Sequence, residues 1–384
     1  MKALTIILTL IYISINLTGC TANKERQSVD NQLQENKTQA QLPNGNIRLL
    51  LGSLTDDKLV PIYVPIDSVS MRFCHWSPDG QWLVYGNQGD LFIYNNKTGE
   101  NINLTNTPDK WELLPFWSPD GSKLGFTSRP LDPREGRPSI DDDWVMSGPG
   151  GGSPAIICLD GTGYKILDEK LVINPLSWSP DGKTVAYGAG DSIHLYSLKD
   201  NKSILISPAE IGIEAKFIGS PSWSPKRFEI AFFFSLDDKE STREEILDGT
   251  ASPTKQGFAL LDLKTNEVNV LYTFEGLFTW CRPPALWNAD GSKLAFLLRA
   301  EGLINNPTGL MVTNREGGNV HKIGEAYQAL WEPNGNRLAY IDSFECHVVK
   351  IVSFDGDVYT TKMIEHENTF NDGITWQPSI KINN

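Results

Sequence analysis

The residues best suited to recognising another molecule are concentrated in one segment, 129–153. This segment contains Arg137, the consecutive carboxylates Asp141, Asp142 and Asp143, and Trp144. An indole beside carboxylates and guanidiniums suits recognition of a carbohydrate or a peptide, because the ring supplies apolar contact and the charges orient polar groups. Three adjacent aspartates could also bind Ca²⁺, but they lack the alternating spacing of a known calcium loop, and a solvated acidic turn is favoured.

Three further candidates for binding lie outside this segment: Trp111, Trp280 and Arg282. Their repeat positions, described below, predict that they share one face of the fold with segment 129–153. Aromatic and arginine side chains are the types most often enriched at binding hot spots. The alternative for Trp111 and Trp280 is a packing role between structural units.

Motifs for catalysis are absent from the sequence. There is no G-x-S-x-G nucleophile motif and no H-E-x-x-H zinc motif. No two of the five histidines have helical ligand spacing, and each falls at a different repeat position. The sequence therefore favours a non-catalytic chain and predicts neither a metal site nor a cofactor.

The composition indicates an ordered, acidic protein. Hydrophobic residues make up 40% of the 384 residues, which is enough for a sizeable core. Acidic residues outnumber basic ones 47 to 34, for a net charge of −13. A chain this acidic gains little from a phosphate backbone, and nucleic-acid binding is excluded as a general function.

The N-terminus has the features of an export signal. Lys2 precedes a short apolar stretch that ends in Leu17-Thr18-Gly19-Cys20. This ending resembles the bacterial lipobox, which implies cleavage after residue 19 and acylation of Cys20. The alternative is an ordinary signal peptide with a chance cysteine. Residues 1–19 are thus predicted to be a lipoprotein signal peptide, and the polar residues 20–45 a disordered tether.

Four cysteines remain beyond the signal: Cys74, Cys158, Cys281 and Cys346. An extracytoplasmic location permits disulfides. The four are widely separated and form no dense framework, which favours buried thiols over one or two bridges.

A tryptophan motif recurs seven times between residue 76 and the C-terminus. Trp76-Ser-Pro-Asp-Gly80 is its full form, and the copies begin at Trp76, Trp117, Trp178, Trp223, Trp287, Trp331 and Trp376. The spacings are 41, 61, 45, 64, 44 and 45 residues, so two copies contain insertions. Internal repeats of this length indicate a repeat architecture.

Each copy contains four short strand-like segments separated by turn residues, which is typical of one blade of a β-propeller. Proline at the second turn position and glycine at a position with positive φ suit a tight hairpin turn. The motif is therefore interpreted as scaffold, with its tryptophan between neighbouring blades.

The repeat closely resembles the TolB-like, or WD-like, propeller repeats of bacteria, over about residues 46–380. The resemblance implies an all-β fold, a β-propeller with seven blades of four antiparallel strands. The segments 47–53 and 59–66 are expected to complete the blade that Trp376 begins, so that both chain ends meet in one blade. A six-bladed propeller with extra edge strands is the alternative. Residues 46–384 form the predicted propeller domain.

The repeat also predicts where the insertions lie. Both of them, Arg129–Ser153 and Leu236–Lys255, fall between the second and third strands of a blade, and they should leave the same face. Long loops on a rigid scaffold often carry binding residues. A short surface helix is predicted in the second insertion, where Ser241 and Glu244 fit a capping box.

Taken together, the sequence predicts a monomeric, lipid-anchored binding module in the bacterial cell envelope, outside the cytoplasm. Its partner would be a cell-envelope protein or glycan, and its only contact with the membrane would be the N-terminal lipid. The alternative function is a polysaccharide lyase or hydrolase with a metal-assisted site in the axial funnel. Propellers similar to this one include oligogalacturonate lyases with a histidine-rich metal site. In this chain only His75, beside Trp76, lies at a matching position.

Overall fold

The computed structural model describes residues 47–55, 58–66, 74–131, 152–169, 175–237, 254–276, 284–298, 308–342, 348–356, 358–365 and 374–378. These residues form 27 β-strands in seven sheets, one sheet per blade. The seven-bladed all-β propeller predicted from the repeat is therefore confirmed, and the six-bladed alternative is wrong.

The first three blades follow one another along the chain, each with four consecutive strands. Blade 1 consists of β3 (His75–Trp76), β4 (Trp82–Asn87), β5 (Asp90–Asn95) and β6 (Asn101–Asn103). Blade 2 consists of β7 (Lys110–Trp117), β8 (Lys123–Pro130), β9 (Ser153–Cys158) and β10 (Lys165–Ile166). Blade 3 consists of β11 (Ser177–Trp178), β12 (Thr184–Ala189), β13 (Ser192–Ser197) and β14 (Lys202–Ile206).

Blades 4 to 6 have the same antiparallel order. Blade 4 consists of β15 (Phe217–Trp223), β16 (Glu229–Ser235), β17 (Thr254–Asp262) and β18 (Val268–Gly276). Blade 5 consists of β19 (Leu286–Trp287), β20 (Lys293–Leu298), β21 (Thr308–Asn314) and β22 (His321–Ala326). Blade 6 consists of β23 (Gln328–Trp331), β24 (Arg337–Ile341), β25 (Val348–Asp355) and β26 (Val358–Glu365).

Blade 7 closes the ring with strands from both ends of the repeat region. It has three described strands in the order β2 (Lys58–Ile66), β1 (Ile47–Thr55) and β27 (Ile374–Trp376). β1 pairs antiparallel with β2 and parallel with β27, where Leu54 lies opposite Trp376. The amide of the Gln377 side chain donates to the carbonyl of Gly80, 3.0 Å away, and so joins this blade to blade 1. The expected closure by both chain ends is confirmed.

The core lies between the blades. Tyr187 and Trp178 of blade 3 pack with Ile156 of blade 2, and comparable apolar clusters fill the junctions between blades 1 and 2, 3 and 4, 4 and 5, 5 and 6, and 6 and 7. Burial of this apolar surface is the main force that holds neighbouring sheets face to face. The first strands of neighbouring blades contact one another around the axis.

Four of the repeated tryptophans connect their blade to the one before it. The indole Nε1 of Trp117 donates to the carbonyl of His75 at 3.0 Å, and His75 directly precedes the preceding repeat tryptophan. Trp178, Trp287 and Trp331 make the equivalent bonds, at 3.2, 3.1 and 2.9 Å. The Nε1 atoms of Trp76 and Trp223 are buried without such a partner. The four bonded indoles therefore lie at junctions between blades.

The turn after each full motif has one repeated hydrogen-bond pattern. In blade 2 the hydroxyl of Ser118 donates to Asp120 at 2.7 Å and accepts from the backbone N–H of Lys123 at 2.9 Å. Gly121 has a φ of 71°, a value that glycine adopts without steric cost. The turns at 77–82 and 179–184 have the same bonds. We call the side of the ring that carries these turns the motif face.

Two expectations are corrected by the structure: the bounds of the insertions and the state of Cys158. Arg129 and Pro130 belong to β8, and Thr254 and Lys255 to β17, because their backbones continue the ladders with Trp111, Lys110, Gly276 and Glu275. The insertions are therefore shorter than their sequence bounds. Cys158, which is half-buried, is disulfide-bonded, so the preference for a thiol is wrong there. Cys74 is buried, and Cys281 and Cys346 lie outside the described residues.

Candidate functional site

Both insertions leave the ring on the side opposite the motif face. One follows β8 in blade 2 and the other follows β16 in blade 4, in each case between the second and third strands of the blade. The hairpin at Gly89 and Asp90 and the connections between blades lie on the same side. We call this side the insertion face.

Blades 2 and 4 share a feature that other blades lack within the described residues. Their first strands, β7 and β15, are longer than the other first strands and are interrupted by a bulge. Leu114 and Ser220 lie in these bulges with φ values of 55° and 49°, and each comes three residues before its repeat tryptophan. A non-glycine residue with such a φ costs about 1–3 kcal/mol. Bulges of this kind often redirect side chains beside functional sites.

A buried network of two carboxylates joins blades 1 and 2 at the insertion face. The hydroxyl of Thr107 lies 2.7 and 2.8 Å from the two carboxylate oxygens of Glu112 and 3.3 Å from Oδ1 of Asp90. Thr105 lies within hydrogen-bond distance of both acids, at 3.4 Å from Asp90 and 3.2 Å from Glu112. Asn103 donates to the second oxygen of Asp90 at 2.8 Å. The hydroxyls of Thr105 and Thr107 thus lie between the carboxylates of Asp90 and Glu112.

Glu112 is the central acid of this network. It is 1% exposed, and the loss of solvent raises the pKa of its carboxyl, with a further rise from the charge of Asp90. Hydrogen bonds from Thr107 and Tyr164 lower that pKa in part. The hydroxyl of Tyr164 lies 3.1 Å from Glu112 and 2.7 Å from Ser128, and burial raises the pKa of Tyr164.

Arg129 and Trp111 form a stacked pair on the other surface of the same blade. The two residues lie opposite each other in the β7–β8 ladder, and the guanidinium carbon of Arg129 is 4.8 Å from the centre of the Trp111 ring. The indole is only 8% exposed. The Nε atom of Arg129 is buried and has no hydrogen-bond acceptor among the described residues.

The histidine considered for the alternative function is His75. Burial lowers the pKa of His75 to about 4, so its ring is neutral at physiological pH. The ring packs on Phe116 with the centroids 5.0 Å apart. No group of three histidine, cysteine or acidic side chains suited to a metal ion occurs in the described ranges.

Most residues predicted for binding lie outside the described residues: Arg137, Asp141, Asp142, Asp143, Trp144, Trp280, Arg282 and the lipidation site Cys20. Trp111 is described, and it packs beneath Arg129 in β7. In the part of the chain that the structure describes, no helix is long and apolar enough to cross a bilayer.

Two features of this site were missed by sequence reasoning. The network of Asp90, Thr105 and Thr107 comes from a hairpin and a connection whose polar residues look like ordinary turn residues. The bulges had a readable signal: among the seven repeats, only blades 2 and 4 have proline two residues before the tryptophan, at Pro115 and Pro221.

Comparison with known proteins adds to the fold only. No protein-family model matches the chain, and no curated protein matches it. A chain of the mitotic checkpoint complex has a TM-score of 0.51 at 13% identity and covers 80% of this chain and 84% of its own. A putative TolB from Agrobacterium tumefaciens has a TM-score of 0.49 at 15% identity, covering 75% and 94%. TolB from Acinetobacter baumannii has 0.47 at 15% identity, covering 78% and 69%. Identities this low say nothing about function.

Proposed function

We propose that this chain is a non-catalytic binding module, anchored outside the cytoplasm by a lipid on Cys20, that recognises a cell-envelope protein or glycan through its insertion face. The observation that carries the proposal is the difference between the two faces of the ring. Both insertions leave one face, from the two blades with bulged first strands. The other face repeats one closed hydrogen-bonded turn.

A rigid ring with long connections on one side is a common arrangement for recognition. The ring is already ordered before the ligand binds, so binding has to order only the loops. Near the base of the first insertion the ring offers the guanidinium of Arg129 beside a buried indole. Trp144 and the charged residues around it remain predicted anchors on that insertion. The metal-assisted alternative gains no specific support from the described residues.

The location of the binding surface can be tested by site-specific photo-crosslinking in native envelopes. A crosslinking residue at Leu236, which is 38% exposed where the second insertion begins, should capture the partner. The matched control is Lys183 on the motif face, whose side chain is 75% exposed. Capture from Lys183 and not from Leu236 would contradict the proposal.

The anchor is tested independently. The sequence Leu17-Thr18-Gly19-Cys20 supports acylation, and Cys20→Ala should leave an unprocessed precursor or release the protein from membranes. Fractionation and labelling with a fatty-acid analogue provide the measurement. If wild-type protein takes up no label and fractionates as soluble, the lipid anchor is wrong, whereas the binding face is unaffected by that result.

A further inference from the structure

Arg129 is unlike the other two half-buried arginines whose side chains the structure describes. Arg315 and Arg337 have side chains that are 26% and 27% exposed, and each forms an ion pair with a carboxylate: Glu229 and Glu332. Arg129 is half-buried as well, yet its described contacts are the β8 ladders and the Trp111 ring, and its Nε–H lacks an acceptor. A buried donor without an acceptor costs about 1–3 kcal/mol.

The position of Arg129 gives this cost a reason. The residue is next to last in β8, at the end of the strand from which the first insertion leaves. The guanidinium carbon lies 4.8 Å from the centre of the Trp111 ring, which covers one surface of the group. Because Nε is buried in this rotamer, the side chain must turn its Nε edge outward to meet an incoming ligand.

We propose that Arg129 is the anchor for a carboxylate group of the ligand, bound side-on by Nε–H and the neighbouring Nη–H. These two N–H groups are parallel and match the two oxygens of a carboxylate. The ligand would thus supply the oxygens that Glu229 and Glu332 supply to the arginines of other blades. This inference rests on the proposed function, because it names the chemistry that the insertion face recognises.

The surrounding charge favours a carboxylate over a phosphate. The chain carries a net charge of −13, and the acids Asp90 and Glu112 lie on the opposite surface of the same region. A phosphate monoester carries nearly two negative charges at neutral pH and would meet stronger repulsion than a carboxylate with one. We therefore expect Arg129 to discriminate between the two anions.

The experiment follows the Nε–H resonance of Arg129 by NMR of arginine-labelled full-length mature protein. Arg129→Lys assigns the resonance by its loss. The probes are glucuronate oligosaccharides with their carboxyl-reduced counterparts, an acidic peptide with its amidated counterpart, and a phosphate monoester. We expect the Arg129 resonance to shift with a carboxylated probe and not with its neutral counterpart, and the phosphate monoester to shift it less.

The affinity for the responding probe should fall about tenfold or more in Arg129→Lys, because the ammonium keeps the charge but cannot form the paired bonds. Unchanged affinity in Arg129→Lys, or no shift with either carboxylate series at millimolar concentration, would overturn the inference. The responding series identifies whether the carboxylate belongs to a sugar or a peptide. Crosslinking from Leu236 with no role for Arg129 would leave the proposed function intact and remove only this anchor.

Discussion

The two faces of the propeller use polar residues in opposite ways. On the motif face, Ser118, Asp120 and Gly121 repeat a pattern found in two other blades, and their polar atoms satisfy one another. On the insertion face, Asp90 and Glu112 both accept from the hydroxyls of Thr105 and Thr107, and the buried Nε of Arg129 has no acceptor among the described residues. Regular, internally satisfied turns indicate a scaffold, whereas a buried guanidinium donor without an acceptor, at the start of a long connection, indicates a surface shaped for a ligand.

The cations show the same contrast. On the motif face, Arg315 of blade 5 bonds to Glu229 of blade 4, with Nε donating to Oε2 at 2.7 Å. The pair joins two blades, and Glu229 is 3% exposed. Arg129 on the insertion face joins no blades by an ion pair among the described residues. The difference predicts that similar substitutions at these arginines will have very different costs.

The largest expected effect comes from removing the motif-face cation. Arg315→Gln leaves the buried carboxylate of Glu229 without its partner, and the free energy of unfolding should fall by about 3 kcal/mol. Arg129→Gln, the matched variant, loses a stacking contact worth less than about 1 kcal/mol and also removes an unsatisfied donor. Denaturant unfolding of both variants measures the difference. Equal losses would break the distinction between the faces.

A smaller effect is expected from the indole bonds between blades. Trp178→Phe removes the donor to the Phe116 carbonyl, and Trp76→Phe removes an Nε1 that has no partner among the described residues. Both rings are 7% exposed and lose the same volume, so Trp178→Phe should be the more destabilising of the two by about 1 kcal/mol. Thermal unfolding of the pair provides the measurement. A larger loss in Trp76→Phe would show that the indole bonds do not hold the blades.

The smallest effect is a difference in pH dependence. Glu112 has a raised pKa, so the folded state holds its proton above the ordinary value of 4.5, and its contribution to stability decreases as pH rises through that window. Asp120 has a lowered pKa. Burial raises it, but hydrogen bonds from Ser118 and Ser122 lower it more, and its contribution is lost as pH falls below 3.8.

Unfolding measured over a pH series separates the two acids. Glu112→Gln should gain stability relative to wild type as pH rises above 4.5, and Asp120→Asn should lose less stability than wild type in acid. If wild type and Glu112→Gln had parallel pH profiles, the pKa of Glu112 would not be raised in the folded protein.

The seven blades could be predicted from the sequence because each repeat encodes its own turn. A serine, proline, aspartate and glycine after Trp117 specify a hairpin locally, and blades 1 to 6 all join their first two strands by a short turn at this position, which leaves few arrangements other than a closed ring. The completion of the Trp376 blade by 47–53 and 59–66 followed from the need to protect strand edges. The parallel pairing of β1 with β27 among the described strands of that blade did not, because the pattern of a strand does not encode its direction.

The candidate site was less predictable because its contacts join residues that are distant in the sequence. Arg129 could be counted among charged insertion residues, but its place at the end of β8 depends on pairing with Trp111, 18 positions earlier in the chain. Likewise, the network of Asp90 and Glu112 depends on the approach of two blades. Tertiary packing determines such contacts, and local residue patterns do not report them.

The strand order in blade 7 has a mechanical consequence. The chain enters the ring through β1, which is hydrogen-bonded to β2 along one edge and to β27 along the other. A force applied to the segment before residue 47 acts along this strand and loads both ladders in shear, since their bonds lie across the direction of pull. A strand with one bonded edge can be peeled away one bond at a time. A tether attached here would therefore pull on a strand held from both sides, at the joint where the last blade meets the first.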